Sequence, residues 1–122
     1  MRLNNVFTIK QNDTLPAMEV VVRTRGDLDE IIPFNLSGVT ACTFSMADDC
    51  GNIVISSAAA QITCVSGGTI QYNWIDGDTV ESGKFIAEFE LNFSSGNKMT
   101  IPTIGNIGVQ ILSDINGSWL YN

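Results

Sequence analysis

The sequence GKFIAEFELNF, from Gly83 to Phe93, decides the fold because apolar and polar residues alternate along it. Its odd-numbered positions after Gly83 are all apolar, namely Phe85, Ala87, Phe89, Leu91 and Phe93. Most of its even-numbered positions are polar or charged, namely Lys84, Glu88, Glu90 and Asn92, with Ile86 as the exception. Successive side chains of a strand point to opposite faces, so this period of two indicates an antiparallel strand with one buried and one solvated face.

The rest of the chain shows the same alternation in short segments. These segments are Val6–Lys10, Met18–Thr24, Thr40–Ala47, Ile53–Ile55 and Thr69–Trp74. The alanine-containing stretch Ser57–Val65 is interpreted as extended rather than helical, because it is short and lies between strand and turn signals. Turn signals recur at intervals of about eight to twelve residues, which is typical of a sandwich. The pattern therefore predicts an all-β protein, an antiparallel β-sandwich of roughly seven to nine strands.

Length and charge limit the partners that this chain can have. With 122 residues it has the size of one domain. A net charge of −7 and a pI near 4.2 disfavour nucleic acid as a partner, because few cations are present to neutralise phosphates. No apolar run approaches the roughly 18 residues of a transmembrane helix, so the sequence predicts no membrane partner either.

The cysteines are expected to be free thiols. Residues 1–5 lack the apolar core of a signal peptide, which favours assembly inside a cell rather than secretion. In that compartment Cys42, Cys50 and Cys64 are expected to stay reduced. Cys42 and Cys64 fall in strand-like segments, and both are expected to be buried as small apolar side chains.

The chain has no histidine, which removes the commonest general base and the commonest zinc ligand. Two acidic turns, Asp76–Asp78 and Asp48–Asn52, could supply oxygens to calcium, but neither carries a complete calcium-loop pattern, so ordinary turn roles are favoured. Glu88 and Glu90 could form a carboxylate pair for glycoside hydrolysis, yet a solvated strand face explains them better. We therefore expect no enzyme activity, no catalytic residue, no metal and no other cofactor.

Large apolar side chains divide between a predicted core and a predicted partner interface. The core is predicted to contain Phe44, Tyr72, Trp74, Phe85, Phe89 and Leu91. Residues 1–5 and 113–122 are predicted to be terminal extensions of a single domain. Trp119, Leu120 and Tyr121 lie in the second extension, and a cluster of this kind favours association, so they are predicted to contact a partner. Packing back onto their own domain is the alternative.

Several short motifs also occur in a fixed order along the chain. They are Gln11–Pro16, Phe34–Val39, Cys42–Met46, Gly68–Trp74, Gly77–Thr79, Gly83–Phe89 and Ile101–Pro102. Over residues 10–111, this set resembles the immunoglobulin-like domain found at the N-terminus of phage baseplate upper proteins and in related small tail proteins. Phe85 departs from the family pattern, since it stands where the family usually has tyrosine.

The resemblance implies an immunoglobulin-like sandwich and a non-enzymatic virion structural protein that docks onto tail, baseplate or neck components. The implied partners are other virion proteins and copies of the chain itself. The implied location is the virion, after assembly in the host cytoplasm. A capsid decoration protein is one alternative, and a carbohydrate-binding module, which would need an exposed aromatic platform, is another.

Overall fold

The computed structural model describes residues 6–102 and 105–115, and within them it contains strands and no helix. The strands are β1 (Val6–Lys10), β2 (Met18–Val21), β3 (Arg23–Arg25), β4 (Ile31–Pro33), β5 (Val39–Asp48), β6 (Ile53–Ala59), β7 (Gln61–Cys64), β8 (Thr69–Tyr72), β9 (Gly83–Phe93), β10 (Lys98–Ile101) and β11 (Ile107–Leu112). The prediction of an all-β fold is confirmed.

The strands form two facing sheets and a small hairpin. The large sheet has the order β1-β11-β9-β5-β6, and β10 also pairs with β9. The small sheet has the order β2-β8-β7, and β3 pairs with β4 in the hairpin. All of these pairs are antiparallel except β1 and β11, which run parallel. β10 and β11 pair with different halves of β9, so together they act as one interrupted strand.

This strand order is that of an immunoglobulin-like sandwich. In the strand nomenclature of the immunoglobulin fold, β2, β8 and β7 correspond to strands B, E and D. Strands β11, β9, β5 and β6 correspond to G, F, C and C′. The immunoglobulin-like β-sandwich is therefore the fold of this chain. Residues 34–38 and 94–97 connect strands at one end of the sandwich, and residues 73–82 connect them at the other.

Aromatic contacts join the two sheets across the core. Phe44 of β5 stacks on Tyr72 of β8 with ring centroids 4.2 Å apart, and Phe89 of β9 meets Phe44 edge-on at 5.0 Å. Trp74 also packs edge-on against Phe44, at 5.7 Å. The six side chains that the sequence placed in the core are all buried, namely Phe44, Tyr72, Trp74, Phe85, Phe89 and Leu91. The alternation in β9 therefore matches the burial of its inner face.

Three details differ from the sequence-based expectations. The described residues contain eleven strands rather than seven to nine, partly because the expected strand Met18–Thr24 is divided into β2 and β3. No strand was expected between Thr24 and Thr40, yet β4 lies there and pairs with β3. The expectation that Cys64 is buried is wrong: the pairing of β7 with β8 shifts register between Ile62 and Cys64, at the end of an edge strand, and Cys64 is exposed.

The three cysteines are free thiols, and only Cys42 among them is buried. Burial raises the pKa of the Cys42 thiol to about 11.

Across residues 6–102 and 105–115, the structure contains no helix with the length and apolar character needed to cross a lipid bilayer.

Candidate functional site

A row of apolar residues crosses the outer face of the large sheet. Residues paired between neighbouring strands share a face of the sheet, and four consecutive pairings bring one residue from each of five strands into line. In strand order, this row consists of Val6, Gly108, Ile86, Ala47 and Ile53. We call these five residues the apolar band. It spans the whole width of the sheet, about 20 Å at the usual spacing of strands.

The large side chains of the apolar band are exposed to solvent. The exposed fractions are 55% for Val6, 42% for Ile86 and 64% for Ile53. Beside Ile53, the register shift in β6 adds Val54, which is 46% exposed. Single exposed apolar residues are ordinary, but aligned ones form a continuous patch, and such patches mark contact surfaces.

A hollow lies within the apolar band at Gly108. Because glycine has no side chain, the space between Val6 of β1 and Ile86 of β9 is open. The hollow has a volume of about 400 Å³, and Lys84 and Asp49 also line it. The sheet therefore presents a depression flanked by apolar side chains rather than a flat surface.

Charged residues of opposite sign flank the apolar band along β9. Lys84 precedes Ile86 by two residues and lies in a row with Gln110, while Glu88 follows it by two residues and lies in a row with Ser45. Alternate residues of a strand share a face, so Lys84 and Glu88 project from the same outer surface as Ile86. One long side of the apolar band thus carries Lys84, with Asp49 beside the same hollow, and the other side carries Glu88.

The acidic residues of β9 do not form a cleft. Glu88 pairs with Ser45, and Glu90 pairs with Thr43 and Thr100, on an open sheet face. Glycoside hydrolysis needs two carboxyl groups on opposite sides of the scissile bond. Glu88 and Glu90 instead stand side by side on one strand, as expected for a solvated face.

The acidic turn after β5 is built by hydrogen bonds to Asp48. The Asp48 carboxylate accepts hydrogen bonds from the backbone N–H groups of Cys50 and Asn52 and from the side-chain amide of Asn52. These bonds, led by the one from the Asn52 side chain, hold the pKa of Asp48 below its usual value. Potential ligand atoms of Asp48, Asp49 and Cys50 lie within 4.8 Å of one another. Since N–H donors already satisfy both Asp48 oxygens, the geometry is explained by the turn itself.

The second acidic turn ties the core to a loop. The Tyr72 hydroxyl donates a hydrogen bond of 2.6 Å to Asp78 Oδ2, which also accepts one of 2.9 Å from the Ile75 N–H. Burial, followed by this bond to Asp78, raises the pKa of the Tyr72 hydroxyl well above its usual value. The sequence placed Tyr72 in the core but did not identify Asp78 as its partner; the Asp-Gly turn signal nearby was the available indication.

Neither an aromatic platform nor the predicted terminal interface can be placed on this surface. Tyr72 and Trp74 are 2% and 4% exposed, and no aromatic side chain among residues 6–102 and 105–115 is exposed. Trp119, Leu120 and Tyr121 lie outside the described residues, so their predicted contact with a partner stays a prediction.

The apolar band was not predicted from the sequence; Ile86, the one apolar residue on the polar face of β9, was its only local signal.

A second apolar surface lies on the β3–β4 hairpin. Leu28 at its turn is 87% exposed and Ile31 is 58% exposed. An ion pair of 3.1 Å between Arg25 and Asp29 supports the turn. This surface is narrower than the apolar band, because two strands supply it instead of five.

Comparison with known proteins adds little to this description. No family model and no curated protein matches the chain. Among solved structures, the chain is similar to CopC from Methylosinus trichosporium OB3b, with 11% sequence identity and a TM-score of 0.48. The similarity covers 87% of this chain and 82% of that one. At this level the similarity supports no conclusion about function.

Proposed function

We propose that this chain is a non-enzymatic structural protein of a phage virion, an immunoglobulin-like module that docks onto tail, baseplate or neck components. The observation that carries the proposal is the apolar band, with Val6, Ile86 and Ile53 aligned and exposed. A small acidic sandwich with such a face is suited to hold neighbouring subunits by surface contact. The virion as its location rests on the resemblance of the ordered motifs to phage tail proteins.

The chemistry of the acidic turns supports a structural role. Asp48 satisfies N–H donors of its own turn, and Asp78 accepts from Tyr72 and Ile75. Both carboxylates thus have a structural use that needs no substrate. The partners on this proposal are other virion proteins and further copies of the chain, assembled in the reducing host cytoplasm, where Cys42, Cys50 and Cys64 stay thiols.

Immunogold electron microscopy of purified particles tests the proposal. Antibodies raised against the recombinant domain are expected to label the tail, baseplate or neck at a fixed position. Label spread over the capsid would favour a decoration protein instead. Particles without the chain would contradict the virion role altogether. Binding to a glycan array by a chain missing from particles would favour a carbohydrate-binding module, although the burial of Trp74 argues against that alternative.

Removing residues 116–122 tests the predicted terminal interface separately. The truncation retains β11 and the hydrogen bond from the Asp114 N–H to Gln11, so the domain is expected to fold with nearly unchanged stability. If Trp119, Leu120 and Tyr121 contact a partner, the truncated chain will fail to enter particles. A truncated domain that unfolds would place these residues in the core, and normal incorporation would move the interface to the sheet face or the loops.

A further inference from the structure

We infer that the apolar band is a face-to-face interface between two copies of this chain, related by a twofold axis that runs along the band. The inference rests on the proposed structural role and names one of its partners. The band is exposed on each copy, and a second copy would cover Val6, Ile86 and Ile53 with equally apolar residues. A twofold interface places the same patch on both sides, which suits a surface that is apolar along a single line.

Charge selects the direction of the axis. With the axis along the apolar band, the strands of the two facing sheets run antiparallel, and each Ile86 faces its counterpart. Lys84 of one copy then lies opposite Glu88 of the other, and the reverse pair forms by symmetry. With the axis along the strands, Lys84 would face Lys84 and Glu88 would face Glu88, which is unfavourable. Because the chain has a net charge of −7, few of its surfaces can place opposite charges of two copies against each other in this way.

The size of the face suits a weak to moderate dimer. Five strands at about 4.8 Å and a height of about eight residues give a face of roughly 600 Å² per copy. This is somewhat below the roughly 800 Å² per partner of a standard protein interface. Facing sheets pack about 10 Å apart, so outward side chains of both copies meet between them. The usual crossing angle of about −30° keeps the central Ile86 pair and its flanking charges in contact.

Sedimentation equilibrium of the full chain with four variants tests the interface. The wild type is expected to form dimers that dissociate on dilution. Lys84→Glu and Glu88→Lys should each weaken dimerisation by about tenfold or more, since each places like charges opposite each other. The double variant K84E/E88K restores opposite charges and should dimerise within a few-fold of the wild type. Glu19→Lys, on an exposed position of β2 in the other sheet, changes the net charge as Glu88→Lys does and should have no such effect.

The outcomes separate this interface from the proposed function. Circular dichroism first verifies that each variant is folded. A wild type that stays monomeric at high concentration, a double variant as weak as the single ones, or an equal effect of Glu19→Lys would each overturn the interface. If one of these results overturns the interface but antibodies against the chain still label particles, the virion role stands without the dimer. If the dimer forms as expected but the chain is absent from particles, the interface stands and the virion role is wrong.

Discussion

The inner and outer faces of β9 belong to the same eleven residues but meet different surroundings. On the inner face, Phe85, Ala87, Phe89 and Leu91 are buried between the two sheets. On the outer face, charged residues surround Ile86, which is 42% exposed. Burial in the core explains every apolar residue of the inner face, whereas folding of the single chain does not explain Ile86. Ile86 instead lies in line with the other exposed side chains of the apolar band, and the following predictions test the contrast between the two faces.

The largest effect is expected at the centre of the inner face. Phe89 is completely buried and packs against Phe44, so Phe89→Ala should leave a cavity and lower the free energy of unfolding by about 3 to 5 kcal/mol. Urea denaturation monitored by circular dichroism measures the change. A loss below about 1 kcal/mol would mean that the two faces of β9 have been assigned the wrong way round.

A smaller effect is expected where the core meets a turn. Tyr72→Phe keeps the stacking on Phe44 but removes the donor of the 2.6 Å hydrogen bond to Asp78. Because that acceptor is a carboxylate, the free energy of unfolding should fall by about 1.5 to 3 kcal/mol. Asp78→Asn, which keeps an acceptor oxygen, is the matched control and should cost less. Equal losses in both variants would indicate that the bond stabilises the turn only when its acceptor is charged.

Alkaline pH should destabilise the fold through the same interior. Burial raises the pKa of Cys42 from 9.0 to about 11, and the pKa of Tyr72 is also raised. Both groups ionise more readily in the unfolded chain, so the stability that Cys42 contributes is complete below about pH 9 and is lost as pH rises to about 11. The contribution of Tyr72 is lost from about pH 10 upward. Urea denaturation at pH 8 and pH 10.5 measures the loss, which should be smaller in Cys42→Ala. An unchanged pH dependence in that variant would contradict the role of the buried thiol.

The smallest effect on stability is expected on the outer face. Ile86→Thr keeps a β-branched residue suited to a strand, and the side chain it replaces is already partly solvated. The free energy of unfolding, measured at low protein concentration, should change by less than about 1 kcal/mol. Self-association should nevertheless weaken, because Ile86 faces its own counterpart in the inferred dimer. A large loss of stability with unchanged association would assign Ile86 to the fold rather than to an interface.

Burial within a single strand could be predicted from the sequence. The alternation of Phe85 to Leu91 identified the inner face of β9, and Cys42, Phe44 and Met46 are likewise buried on one face of β5. Alternation is a property of the local backbone, so it needs no knowledge of partner strands. The prediction that Cys64 is buried was wrong because a register shift with a distant strand, β8, decides its exposure.

The apolar band could not be predicted, because it depends on pairings between residues far apart in sequence. Val6, Ile53 and Gly108 are aligned with Ile86 only through the register of five strands. A slip of one residue in any pair would send one of them to the other face of the sheet. The partner of Tyr72 was missed for a similar reason, since the position of Asp78 depends on how its loop folds back.

The parallel pairing of β1 with β11 determines how the domain responds to mechanical force. β1 receives tension from the segment before Val6 and β11 from the segment after Leu112, and five residue pairs join the two strands. Opposed pulls on these segments slide one strand along the other, so the hydrogen bonds of the pair carry the load simultaneously. A hairpin pulled at its open end would instead lose its bonds one after another. Tension along the chain therefore loads β1 and β11 in shear, which is the geometry in which a pair of strands is hardest to separate.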